Sequence, residues 1–184
     1  MEESRVRSHR SLWNEDFLWG ILFSHPADYT PVCTTELARA AQLAHVFAQK
    51  GVKIIALSCD SVDSHHGWIK DIEAFGELPD GPFPYPIIAD EKREIAVKLG
   101  MLDPVEKDKE GLPLTCRAVF IIGPDKKMKL SMLYPATTGR NFEGYGMTNA
   151  RWSVGHVGLD VEAPPKGTAR WPARRYDPTL LDWA

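Results

Sequence analysis

Short, solid apolar runs alternate with broken stripes along this chain, and the alternation lays out strands and helices in order. Leu18 to Ser24, with Trp19, Ile21, Leu22 and Phe23, has the length of a buried strand. Pro26 and Asp28 break it, and Thr30-Pro31-Val32-Cys33 leads into Thr34-Thr35-Glu36, which reads as a helix start. From Glu36 to Lys50 the apolar positions Leu37, Ala40, Ala41, Ala44, Phe47 and Ala48 form a helical stripe, closed by Gly51 as a C′ residue. Val52 to Ser58 is a second buried strand, so the first three elements make a right-handed, parallel βαβ unit. Asp63 to Phe75 is predicted helical, with Trp68, Ile72 and Phe75 on one face. Gly76 to Pro86, with its four prolines, is a loop, and Ile87 to Ala89 is a short strand. Asp90 can cap a helix from Lys92 to Leu99 that Gly100 ends. Asp103 to Pro113 reads as a charged loop. Ala118 to Ile122 and Lys127 to Leu133 are strands joined by the turn Gly123-Pro124-Asp125-Lys126.

This pattern places one thiol, Cys33, in the first turn of a helix just beyond the carboxyl end of a strand. Open α/β sheets bind ligands there, and helix N-termini present unpaired N–H groups to anions. Such a position favours a thiolate over a thiol. The opposing reading is a small buried hydrophobe, the usual fate of a free cysteine.

The wording around Cys33 is more specific than its placement. Pro26, Thr30 and Cys33 stand as P-x-x-x-T-x-x-C within FSHPADYTPVCTTEL, which resembles the active-site segment of the peroxiredoxins. VKIIALSCDSVDSHHGWIKDI, YPIIAD, LGMLDPVEKDKEG, GPDKKMKLS and YPATTGRNF resemble the 1-Cys subfamily of that family, nearly continuously from about residue 19 to 142. The resemblance implies an α/β, thioredoxin-like fold: a mixed central sheet flanked by helices, spanning residues 18–142. It implies a thiol-dependent peroxidase acting on hydrogen peroxide and organic hydroperoxides. A cysteine thiolate attacks the O–O bond and becomes a sulfenic acid. Cys33 matches the attacking sulfur, Thr30 the hydroxyl one helical turn earlier, and Arg117 the arginine that faces the thiolate. Pro26 matches a residue shielding the pocket, and His25 and Glu36 match positions that orient the arginine and the pocket wall. Without the resemblance, Arg117 reads as a strand-end surface arginine. Two placements would defeat this account: a guanidinium far from the sulfur, or a sulfur buried among hydrocarbon with no access from solvent.

Thr30 stands where a C-x-x-C motif would put a resolving thiol, so resolution falls to an outside thiol, for which glutathione is the family's usual reductant. No cofactor and no metal is called for. Cys59, after the second strand, falls on the sheet edge that carries Cys33, whereas Cys116 should point away from the face that Arg117 serves. Both stay open as internal resolving thiols, with the plain small residue as the favoured reading. Some members of the subfamily carry a phospholipase A2 set with its serine in G-x-S-x-G. Here Leu18 stands at the serine's place and only Asp125 of the set is present, so no such activity is expected.

The resemblance stops at both ends. Residues 1–17 read as a weakly ordered arm. Residues 143–184, rich in Gly, Pro and Arg, hold no sustained apolar period where the family has a closing helix and a domain used in dimer contacts. A sheet face is therefore expected to be under-covered unless Trp152, Trp171 and Trp183 dock on it, and a homodimer stays open. These ends support a second reading, a non-catalytic or redox-sensing thioredoxin-like binding protein. The formal net charge of -3 over 184 residues argues against a nucleic-acid partner, and Arg170 to Tyr176 is too short a basic-aromatic run to reverse that. No apolar stretch is long enough to span a bilayer, no secretory signal is visible, and three irregularly spaced cysteines fit a reducing, cytoplasmic setting. His65 and His66, adjacent on a helix and about 100° apart, cannot share a metal as an i, i+4 pair would, and read as a solvated pair.

Overall fold

A computed structural model describes residues 19–142. Strand β1 (Trp19–Ser24), helix α1 (Pro31–Gln49) and strand β2 (Val52–Ser58) come first, then α2 (Val62–Phe75), β3 (Ile87–Ala89) and α3 (Glu94–Lys98). Four strands follow: β4 (Leu102–Lys107), β5 (Pro113–Thr115), β6 (Arg117–Ile122) and β7 (Met128–Tyr134). The main sheet has the order β3-β2-β1-β6-β7. β1, β2 and β3 run parallel, and β6 joins β1 antiparallel, with Leu22 opposite Phe120. The sheet is therefore mixed, as the βαβ start and the β-hairpin finish require.

Alternation along the strands sorts the core into two layers. Ile21, Phe23, Ile54, Ala56, Val119 and Ile121 face Leu37, Ala40, Phe47, Trp68 and Ile72 of α1 and α2. Their neighbours Leu22, Ile55, Leu57, Ala118 and Phe120 point the other way, toward Ala96 of α3, Met101 and Cys116. The central strands β1, β2 and β6 are thus buried on both faces, as solid apolar runs must be. The expected bare face depends on residues 143–184, which, like the N-terminal arm, lie outside the described residues.

Four details depart from the sequence reading. Helix α1 begins at Pro31, before its apolar stripe, because Thr30 is extended and Pro31 is pre-set for the first helical position. The charged segment expected as a loop pairs as the ribbon β4–β5, closed by Asp108, whose Oδ1 accepts from the backbone N–H of Glu110 and Leu112 at 3.0 and 2.8 Å. Its residues carry no apolar period because it stands off the main sheet; Val105 is 69% exposed. Phe75 closes α2 rather than joining its buried face and is exposed. Helix α3 is shorter than expected because Arg93 takes a left-handed conformation (φ 60°), while Asp90 caps it by accepting from the N–H groups of Ile95 and Ala96.

Candidate active site

Helix α1 starts at the carboxyl end of β1, and Cys33 is its third residue. Arg117 opens β6, the antiparallel neighbour of β1, so the pairing brings it to the same end of the sheet. Its Nη1 donates to Cys33 Sγ at 3.3 Å and to Glu36 Oε2 at 2.7 Å, and its Nε donates to the Ala136 carbonyl at 2.8 Å. A guanidinium bonded at once to Glu36, Ala136 and the sulfur is fixed in place against Cys33.

Glu36, one turn along α1 from Cys33 on the same helix face, is the hub of this arrangement. It accepts from Arg117 and also from Arg140, whose Nη2 and Nε reach Oε2 and Oε1 at 3.0 and 3.2 Å and whose backbone N–H makes a short bond to Oε1. Arg140 in turn donates to the Ala118 carbonyl at 2.8 Å and lies 5.5 and 5.1 Å from the ring centres of Phe23 and Phe142. One buried carboxylate therefore serves two buried guanidinium groups, the arrangement that makes burying such charges tolerable. Sequence reasoning missed Arg140. It follows Thr-Thr-Gly in a segment without periodicity, and its partner lies 104 residues away.

Thr30 is the N-cap of α1, but its hydroxyl donates to the Ala27 carbonyl at 3.1 Å rather than capping the helix. Pro26 is buried. The His25 ring does not bond Arg117; its Nε2 lies 2.8 Å from Asp28 Oδ1, and Asp28 Oδ2 is 2.7 Å from His65 Nδ1 and accepts from Ser64 Oγ at 2.8 Å. His65 is therefore buried in this cluster while His66 is exposed, which corrects the solvated pair. Burial lowers the His25 pKa against the opposing pull of Asp28. Burial raises that of Asp28, but the two imidazole bonds outweigh it and hold the carboxyl well below its usual range. Trp68 Nε1 donates to Thr34 Oγ1 at 3.1 Å, tying α2 to the first turn of α1.

Of the two placements that would defeat a catalytic reading, the first does not occur. The second is met in part. Cys33 is 0% exposed and belongs to the apolar cluster of Phe23, Leu37 and Trp68, with the Arg117 guanidinium against it. All three cysteines are free. Cys59 follows β2 at the same end of the sheet but packs on the opposite layer with Cys116. Burial pushes the Cys59 thiol up to about 11 and the Cys116 thiol up to about 12. Asp125, the remaining member of the phospholipase set, is on the β6–β7 turn, ion-paired with Lys129 at 2.6 Å. No helix among the described residues is long and apolar enough to cross a membrane.

Comparisons with known proteins concern the chain's family and fold. The chain is 67% identical to chicken peroxiredoxin-6 over 132 residues, 70% of this chain and 59% of the relative. It is 61% identical to human peroxiredoxin-6 over 140 residues, 76% of this chain and 61% of the relative. The chain thus spans about three fifths of the length of the curated relatives it matches. Among solved structures, a cysteine-to-serine mutant of Arenicola marina peroxiredoxin 6 superposes with a TM-score of 0.67 at 64% identity, covering 68% of this chain and 57% of that one. A yeast mitochondrial 1-Cys peroxiredoxin, solved for its thiol resolving mechanism via glutathione/thioredoxin systems, superposes with a TM-score of 0.61 at 43% identity, covering 68% and 59%. Both likenesses bear out the thioredoxin-like reading of the sheet and its helices. With residues 9–131 matching its sequence pattern, the chain belongs to the AhpC/TSA family.

Proposed function

We propose that the protein is a thiol-dependent peroxidase that reduces hydrogen peroxide and organic hydroperoxides through Cys33. The observation that carries this reading is the Arg117 guanidinium, fixed by Glu36 and Ala136, 3.3 Å from the Cys33 sulfur. The thiolate attacks one peroxide oxygen and the O–O bond breaks. Cys33 becomes a sulfenic acid, and the departing oxygen takes up a proton to leave as water or an alcohol. Arg117 stabilises the thiolate and, through its second hydrogen-bonding edge, the charge that builds on the departing oxygen. Thr30 already donates to Ala27, so its oxygen is left to accept a hydrogen bond from the peroxide O–H. Pro26 excludes water, Glu36 orients Arg117, and His25 holds the pocket wall through Asp28.

Since Cys33 has no exposed surface, peroxide access requires local opening of the packing around it. An external thiol then resolves the sulfenic acid. The relative from yeast is described with glutathione and thioredoxin systems, and a small-molecule or protein thiol of that kind fits this chain, whose other cysteines pack on the far layer, Cys116 buried and Cys59 half-buried. A reducing, cytoplasmic setting and a homodimer belong to the same reading.

Steady-state consumption of peroxide with added glutathione or dithiothreitol tests it. Turnover is expected in the parent and in Cys59→Ser and is lost in Cys33→Ser. Equal loss in both variants overturns the external-thiol mechanism. A single oxidation of Cys33 without turnover overturns the enzyme and leaves a redox sensor.

A further inference from the structure

A second polar cluster is drawn from two elements, the segment that leads into the helix of Cys33 and the helix α2. His25 and Asp28 come from the segment between β1 and α1, and His65 from the first turn of α2. Side-chain exposures are 0%, 1% and 5% in that order, and one nitrogen or oxygen atom from each lies within 4.8 Å of the other two. The charge in this cluster is unbalanced. Asp28 is buried, and its backbone N–H donates to a second carboxylate, Asp60, at 3.0 Å. The ion-pair partners of Asp28 among the described residues are the two imidazoles, which carry no charge unless protonated.

The rings are also incompletely satisfied. His25 Nδ1 and His65 Nε2 are buried with no hydrogen-bond partner. A hydrogen bond on the far nitrogen of a histidine is what normally fixes which nitrogen carries the proton. With neither far nitrogen engaged, no second hydrogen bond fixes which nitrogen of either ring carries the proton, and a metal ion on the Asp-facing nitrogens would replace the hydrogen bonds that Asp28 now makes to both rings.

We propose that His25 Nε2, His65 Nδ1 and a carboxylate oxygen of Asp28 form a binding site for a transition-metal dication of the Zn²⁺ class. Two imidazoles and one carboxylate suit zinc and its neighbours, whereas Ca²⁺ and Mg²⁺ demand oxygen ligands. Ser64 Oγ, 2.8 Å from Asp28 Oδ2, is placed to offer a fourth oxygen. Zinc–nitrogen bonds of about 2.0–2.1 Å in a tetrahedral site put ligand atoms roughly 3.3 Å apart, so the 2.8 and 2.7 Å contacts to Asp28 must open by about half an ångström and the widest separation, at most 4.8 Å, must close by up to ~1.5 Å. The dication neutralises the Asp28–Asp60 charge. It also fastens the segment leading into Cys33 to α2, a junction where Tyr29 already donates to the Ser64 carbonyl at 3.3 Å.

Titration of chelator-treated Cys33→Ser protein with Co²⁺ tests the site without the competing thiolate and without reference to peroxidase activity. One Co²⁺ per chain is expected, with the visible bands of a four-coordinate nitrogen–oxygen site, displaced by Zn²⁺, and a rise in melting temperature. His66→Ala in the same background retains it, and His65→Ala weakens it at least tenfold. If His65→Ala does not fold, His65→Gln is read in its place. Absence of saturable binding, or binding indifferent to His65, overturns the proposal and leaves the peroxidase reading untouched.

Discussion

Replacing Arg117 with Met takes away the guanidinium that touches the sulfur while leaving the rest of the buried charge paired. Glu36 keeps the Nη2, Nε and backbone N–H of Arg140, so the variant strands no carboxylate. The stability cost should therefore stay well below the ~3–5 kcal/mol that follows when a buried pair loses one member outright. Reactivity should fall much further. A unit charge 3.3 Å from the sulfur is worth about 5 kcal/mol at an effective dielectric of about 20. Desolvation of the sulfur and the nearby Glu36 anion offset part of this. What remains is the scale of a charged hydrogen bond, about 1.5–3 kcal/mol, or roughly a 10- to 150-fold loss in rate. Arg117→Lys should resemble Met more than the parent, because one ammonium cannot serve Cys33, Glu36 and Ala136 together. Stopped-flow peroxide reduction and iodoacetamide alkylation of Cys33 at pH 7 measure the two variants, with melting curves to establish that both fold. A folded Arg117→Met protein within threefold of the parent in both assays would refute the assignment of Arg117 to the sulfur.

Glu36→Ala should act in the opposite sense, costing about 3–5 kcal/mol because it leaves two buried guanidinium groups without their shared carboxylate, which denaturant titration will show. Glu36→Gln should recover part of that loss by keeping the shape and one acceptor. With thiols held up at about 11 and about 12, Cys59 and Cys116 are ionised to only about one part in 10³ and 10⁴ at pH 8. A short iodoacetamide pulse on native protein at that pH should leave both unlabelled by mass spectrometry, and urea should expose both. Rapid native labelling of Cys59 would reopen it as a resolving thiol.

How much of this was written in the sequence depends on how far apart the interacting residues are. The strands Val52–Ser58 and Ile87–Ala89, the β6–β7 turn and the helix carrying Cys33 near its start follow from periods of two and 3.6 residues and from proline and glycine. Those signals are local, set by whether neighbouring side chains share a face. Gly51, with φ 68°, closes the stretch after α1 for the same reason. The ribbon β4–β5 gave no such signal, because strands that bury little need no alternation.

The residues alone left Cys33 open between a reactive thiol and a small buried hydrophobe, and Arg117 a surface arginine; the resemblance to a family is what joined them into one site. Tertiary structure decided which charges meet. It set Arg117 against a sulfur 84 positions away, closed Glu36 with Arg140 across 104 positions, and buried His65 against Asp28 while its neighbour His66 stayed in water. It also sealed the sulfur from solvent. A buried ion pair is stable only if both partners arrive together, and no local pattern in the chain records that meeting.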